Sequence, residues 1–160
     1  MNNLKLAESL TYKGEHLTIP FEIVRWGLIR EQDFAPLNDG AGCWNYYIYI
    51  VETKVENFKD FWLDMEVKEF SEGGTKYLSC DYYKSPISEC YFHGGVTYWK
   101  SENERLPGNR YIQVGCDYSH FWDQGRTYTL EDVYSDCCRT IEEVSTLLKP
   151  KVKESRSGPA

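Results

Sequence analysis

The chain has 160 residues, a formal net charge of −7 and an aromatic content of 16%, including thirteen Tyr and five Trp. A chain of this size suits one domain whose core needs no disulfide staples, and its acidity opposes duplex nucleic-acid binding by counterion release, which requires many cationic phosphate contacts. The aromatic content is high for so small a domain and implies aromatic side chains on a surface as well as in the core; a small anionic ligand needs few cations and stays compatible with the charge.

The start, MNNLKLAESL, has no long apolar core or cleavage-like site, and no later run of about 18 apolar residues follows, so the expectation is a cytoplasmic protein with no membrane contact. FEIVRWGLI (21–29) reads as a strand and CWNYYIYIV (43–51) as another, separated by the loop EQDFAPLNDGAG with its Pro and Gly breakers. NFKDFWLDM (57–65) sets Phe58, Phe61, Trp62 and Met65 at helical spacing and predicts a short amphipathic helix. A strand over 66–70, the turn SEGG (71–74) and a strand in TKYLSCDYY (75–83) together predict a hairpin.

CYFHGGVTYW (90–99) has aromatic and β-branched flanks that favour a strand, with His-Gly-Gly at its centre. Glycine inside a strand marks a bulge or the close approach of a ligand or another backbone. SENERLPGN (101–109) is a loop leading to the strand RYIQVGCD (110–117). From Thr129 on, Leu130, Val133, Tyr134, Cys137, Ile141, Val144 and Leu148 recur at helical spacing, with Thr129 as N-cap and Glu131 and Asp132 in the first turn. The helix stops at Pro150, and PKVKESRSGPA (150–160) reads as a disordered polar tail. Strands first and a long helix last predict one α+β domain over 1–149: an antiparallel sheet of about five or six strands, with the long C-terminal helix and the shorter one packed on one face.

Alternation assigns faces. In 90–99, Phe92, Val96 and Tyr98 fall on one face and Tyr91, His93, Thr97 and Trp99 on the other. Ile112, Val114 and Cys116 oppose Tyr111, Gln113, Gly115 and Asp117, and Trp44, Tyr46, Ile48 and Ile50 oppose Asn45, Tyr47 and Tyr49. With the apolar sets under the helices, the free face becomes an aromatic floor of Tyr47, Tyr49, Tyr91, Trp99 and Tyr111 around His93, Thr97, Gln113 and Asp117. Such a floor suits base stacking or a subunit interface.

The six cysteines (43, 80, 90, 116, 137 and 138) are expected as reduced thiols, with Cys137 in the core. Cys90-x2-His93 and Cys116-x3-His120 have the ligand types of a tetrahedral zinc site, but Cys90 and His93 lie on opposite faces of a regular strand, and buried unligated thiols are the expectation. No cofactor or metal is expected. Two enzymatic alternatives stay open: a cysteine nucleophile (Cys90 or Cys116) with a histidine base, and acid-base hydrolysis of a phosphodiester by His93 and His120 with Asp117. HFWDQGR (120–126) offers Arg126 as a fork for a phosphate, and in segment 91–126 Lys100, Arg105, Arg110 and Arg126 balance Glu102, Glu104, Asp117 and Asp123.

GCWNYYIYI, FHGGVTY and VGCDYSH, followed by the amphipathic helix, resemble in order a widespread family of small bacteriophage and mobile-element proteins. Those proteins show a Gly-x-Trp-x-x-Tyr-like strand, a His-Gly-Gly-x-Thr-Tyr strand and a Gly-x-Asp-Cys-x-His strand end. The resemblance places the motif residues on His93, Gly94, Gly95, Thr97 and Tyr98 and on Asp117 and His120; the motif Cys falls on Tyr118, which disfavours metal and cysteine chemistry here. Small phage proteins of this profile resemble anti-defence, immune-evasion factors, one class of which sequesters the cyclic nucleotide signals of bacterial immune systems as an oligomeric sponge. The resemblance thus implies a homo-oligomer in the host cytoplasm that binds a cyclic dinucleotide such as cyclic GMP-AMP without cleaving it. Its ligand-binding residues would be Tyr47, His93, Gly94, Gly95, Thr97, Tyr98, Trp99, Asp117, His120 and Arg126. The alternatives are a small hydrolase using His93, Asp117 and His120, and a protein-binding inhibitor of a host defence factor.

Overall fold

The computed structural model describes residues 4–30, 44–69, 74–103, 108–123 and 126–152, with backbone alone over 4–10 and 26–30. In chain order the regular elements are β1 (Leu4–His16), β2 (Ile19–Arg30), β3 (Trp44–Val51), β4 (Glu66–Glu69), β5 (Lys76–Ser79), β6 (Tyr98–Glu102), β7 (Tyr111–Asp117) and α1 (Leu130–Ser145). Five strands form an antiparallel sheet in the order β1-β2-β3-β7-β6, and β4 and β5 form a separate two-stranded ribbon. α1 lies across β2 and β3, which makes the architecture the expected α+β.

The central strands follow their alternation. Trp44, Tyr46, Ile48 and Ile50 of β3 and Ile112, Val114 and Cys116 of β7 are buried on the helix side, where Val133, Cys137, Ile141 and Val144 of α1 close over them. α1 begins at the expected cap. The Thr129 hydroxyl accepts from the Asp132 N–H while the Asp132 carboxylate accepts from the Thr129 N–H, so two otherwise orphaned donors are satisfied reciprocally. Among the described residues no helix is long and apolar enough to cross a membrane.

Four elements depart from expectation. No strand is predicted before Phe21, yet β1 pairs with β2 from Leu4↔Arg30 to His16↔Ile19. β1 is an edge strand held by its ladder with β2. Residues 57–65 form a single 3-10 turn at Phe58–Asp60 instead of a helix; Phe58 and Phe61 are buried, and Asn57 ties the segment to the chain after α1 through the Leu147 carbonyl and the Lys149 N–H. Pro150 and Lys151, expected in the disordered tail, are held to the fold: Pro150 bridges Val55 and the Lys151 N–H donates to the Lys54 carbonyl; 153–160 lie outside the described residues, as do the 31–42 loop and residues 71–73 of SEGG.

The fourth departure concerns CYFHGGVTYW. Only Tyr98 onward is strand, and 92–95 is a tight turn closed by the Gly95 N–H on the Phe92 carbonyl at 2.9 Å. Gly94 (φ 68°) occupies the turn position that requires a positive φ, and Gly95 (φ 92°) extends the reversal. The preceding backbone bonds to side chains instead of to a strand: the Tyr91 N–H donates to Glu143, the Thr140 hydroxyl to the Tyr91 carbonyl, and the His93 N–H to the Tyr46 hydroxyl. With its donors and acceptors spent on α1 and β3, this stretch has no reason to join the sheet. The turn also resets the alternation. Trp99 is buried in the core with its indole N–H on Ser101, whereas Tyr98 faces out. Tyr91 and His93 lie on the helix side, so the expected faces of Tyr91, His93, Tyr98 and Trp99 are all corrected.

Candidate functional site

Two regions meet at the end of the sheet where β7 leaves Asp117. The first is a polar network under the His93-Gly94-Gly95 turn. Asp123 is fully buried, and its carboxylate accepts from His93 Nε2 (2.8 Å), the Tyr128 hydroxyl (2.5 Å) and the His120 N–H (3.0 Å). Burial pushes the Asp123 carboxyl up, but the donors from Tyr128, His120 and His93 together outweigh it and hold the group below its ordinary range. The His93 ring stacks on Tyr118 at 3.7 Å and 12°, and its Nδ1 lies 3.8 Å from Asp136. Asp136 accepts in turn from the Tyr118 hydroxyl at 2.5 Å and the Tyr91 hydroxyl at 3.0 Å. Burial and the Asp136 carboxylate raise both phenols, Tyr91 to about 12, so each remains a neutral donor across the physiological range.

α1 supplies this network from one stripe. Asp136, Thr140 and Glu143 stand four and three positions apart, which places them on one helix face, and they take the Tyr91 hydroxyl, the Tyr91 carbonyl and the Tyr91 N–H respectively. Arg139 covers the Tyr91 ring from outside, its guanidinium carbon 3.9 Å from the centroid.

The second region is the face of the sheet away from α1. Tyr47 and Tyr98 meet edge to face at 5.2 Å over Gly115, and Tyr49 and Tyr111 pack at 5.9 Å in the next layer. A Cβ at Gly115 would run into the Tyr47 ring and the Tyr46 carbonyl, so the glycine is what lets Tyr47 lie across the sheet. Asp117, two residues further along this face of β7, leads to the loop that carries His120.

His120 joins the two regions. Its ring is 5.8 Å from that of His93, its Nε2 is 3.6 Å from an Asp117 oxygen, and the half-exposed Trp122 indole stacks on it at 4.6 Å and 3°. Gly94 sits against the imidazole so closely that a Cβ there would overlap it. His120 Nε2 is buried and has no hydrogen-bond partner. A buried polar atom of this kind calls for an unspent function or a bound group.

The sequence-predicted residues therefore fall into distinct settings. His93, Gly94, Asp117 and His120 come together at the turn; Tyr47 and Tyr98 line the open face, and Thr97 joins them through its N–H on the Gly115 carbonyl. Gly95 completes the turn, and Arg126 is exposed at the end of the same loop, its N–H closing a turn on the Asp123 carbonyl. Trp99 is in the core and offers no stacking surface, which corrects its place in the floor. Asp123, Tyr118, Tyr128 and Asp136 were not among the predicted site residues. His120-x2-Asp123 on one short loop was a signal for the first; nothing local marked the others.

The cysteine alternatives find no support. Cys90 points its thiol toward the Pro86 carbonyl at 3.8 Å, and Cys116 is fully buried beside Tyr46. Burial pushes both thiols up, away from the thiolate that a nucleophile needs. The five described cysteines are free thiols, and among the described residues no three His, Cys, Asp or Glu side chains are grouped to hold a metal ion. The chain matches no family model, no curated protein and no solved structure.

Proposed function

We propose that the protein binds a small anionic nucleotide, a cyclic dinucleotide such as cyclic GMP-AMP, and withholds it without cleaving it, acting in a host cytoplasm as a homo-oligomeric immune-evasion factor of a bacteriophage. The observation that carries the binding reading is the tyrosine face: Tyr47, Tyr98, Tyr49 and Tyr111 form two layers on the side of the sheet that α1 does not cover. Base stacking on such rings tolerates any base and needs no nucleophile. Thr97, next to Tyr98 in the chain, is an exposed donor for phosphate, and His120 has a ring nitrogen to spare; Arg126 is exposed where Tyr128 borders Asp132 and Asp136 of α1, away from the tyrosine face. The phage and immune-evasion parts rest on the sequence resemblance.

Cleavage by the hydrolase trio is disfavoured by His93. Acid-base hydrolysis by a pair of imidazoles needs both rings free to pass protons, and His93 has its Nε2 on Asp123, its face on Tyr118 and a side chain only 12% exposed. His93 acts as a strut for the turn, which leaves His120, 3.6 Å from Asp117, as the one imidazole of the trio free to pass a proton. The test is to mix the protein with cyclic GMP-AMP, remove free ligand, denature by heat and analyse what is released. Intact cyclic GMP-AMP is expected; linear products would overturn the sequestration reading in favour of a phosphodiesterase.

A further inference from the structure

The β4–β5 ribbon and the edge strand β6 leave apolar surface and backbone groups open side by side. β6 ends the sheet with β7 as its one neighbour, so among the described residues one side of its backbone ladder has no strand partner. The ribbon stands apart from the main sheet, with the cross-strand pair Val67 and Leu78 exposed at 67% and 63%. A lone two-stranded ribbon is marginal in water, and an open edge invites another strand. Between the two runs a groove walled by Trp62, Met65 and Leu78 on one side and residues 98–103 on the other.

We propose that this groove and edge are the interface between two copies of the chain, joined β6 to β6 in antiparallel register about a two-fold axis. The argument for a second copy is charge. Along β6 only residues of like face can oppose one another across a continuous sheet, so the two-fold passes through a residue, and the registers that pair the middle of the strand are those centred on Lys100 and on Ser101. The first sets Lys100 against Lys100 of the partner subunit. The second sets Lys100 against Glu102 of the partner subunit and Glu102 against Lys100 of the partner subunit, giving two equivalent ion pairs. Within the single chain these side chains already satisfy each other, Lys100 Nζ to Glu102 at 3.1 Å, which shows that they share a face and reach along it. Exchanging that contact for its symmetric counterpart keeps both charges paired while the ladder gains its missing side and Leu78 gains cover. An isologous interface of this kind closes after two copies and leaves no further open β6 edge. It gives the proposed homo-oligomeric state a specific surface, and rests on that part of the functional reading but not on nucleotide binding.

The test is sedimentation equilibrium of the full chain without nucleotide, as wild type, Lys100→Glu, Glu102→Lys and the double exchange. Wild type should dimerise, and each single reversal, which opposes like charges at two symmetric positions, should weaken the dimer about tenfold. The double exchange should recover it, while the circular dichroism of all four variants stays alike. A monomeric wild type, a dimer indifferent to the single reversals, or a double exchange as weak as the singles would overturn the interface. None of these outcomes bears on whether cyclic GMP-AMP binds, which is read separately by calorimetry.

Discussion

Gly94 is the residue on which the geometry of the site turns. It is required twice, for its positive φ and because a Cβ would overlap the His120 imidazole. Gly94→Ala should therefore lower stability by about 1–3 kcal/mol, measured by chemical denaturation, and displace the His120 ring signals in NMR. Gly95→Ala also strains a positive φ but meets no atom, so it should leave His120 in place. Asp123 makes a second prediction. Its folded pKa is depressed, so its stabilising contribution is complete above the unfolded carboxyl value of about 3.9 and disappears as pH falls through the lower folded value. Melting temperature should thus drop below about pH 4, and Asp123→Asn should be less stable at neutral pH by about 2 kcal/mol while losing much of that acid dependence. A parallel pH profile for the variant would show that Asp123 is not the group responsible.

Among the elements, α1 and the β1–β2 hairpin make opposite cases. The start of α1 at Thr129 was legible because its capping box is a local signal, and Thr129→Ala should destabilise by about 1 kcal/mol, read from urea midpoints. The hairpin turn has no such signal. His16 pairs with Ile19 around Leu17 (φ 49°) and Thr18 (φ 65°), two residues that dislike positive φ, in a two-residue turn that favours Asn-Gly. Replacing Leu17 by Asn and Thr18 by Gly should raise stability by about 1–2 kcal/mol; a lower melting temperature would mean that the native side chains earn their strain through packing. A strongly unfavourable turn sequence is also why the hairpin, and with it β1, was not read from the residues. The facing of single residues in β3 and β7 was legible because both strands bury one face; β3 alternates strictly, and β7 does so except at Gly115, buried under the Tyr47 ring. Residues 90–97 were misread for a physical reason: their composition is that of a strand, and only the distant Tyr46, Thr140 and Glu143 remove their backbone groups from sheet pairing.

For the whole molecule, the sheet has a structural side and an open side, and the His-Gly-Gly turn is where the chain crosses between them. The α+β class and the tyrosines at 47, 49 and 111 on the open face follow from the sequence pattern. Tyr98 reaches that face, and Trp99 leaves it, only because the turn shifts the alternation by one. His93 is likewise held in place by contacts with Tyr118, Asp123 and Asp136 that join separate parts of the chain. What remains facing outward at the site is an aromatic surface, proposed above to hold a nucleotide without cleaving it. Isothermal titration of the protein with cyclic GMP-AMP, beside Tyr98→Ala and His93→Ala, tests that conclusion most directly. Saturable binding that Tyr98→Ala weakens by about tenfold or more, with intact ligand recovered from every variant, is the predicted result. No binding by the wild type, or turnover that His93→Ala abolishes, would contradict it.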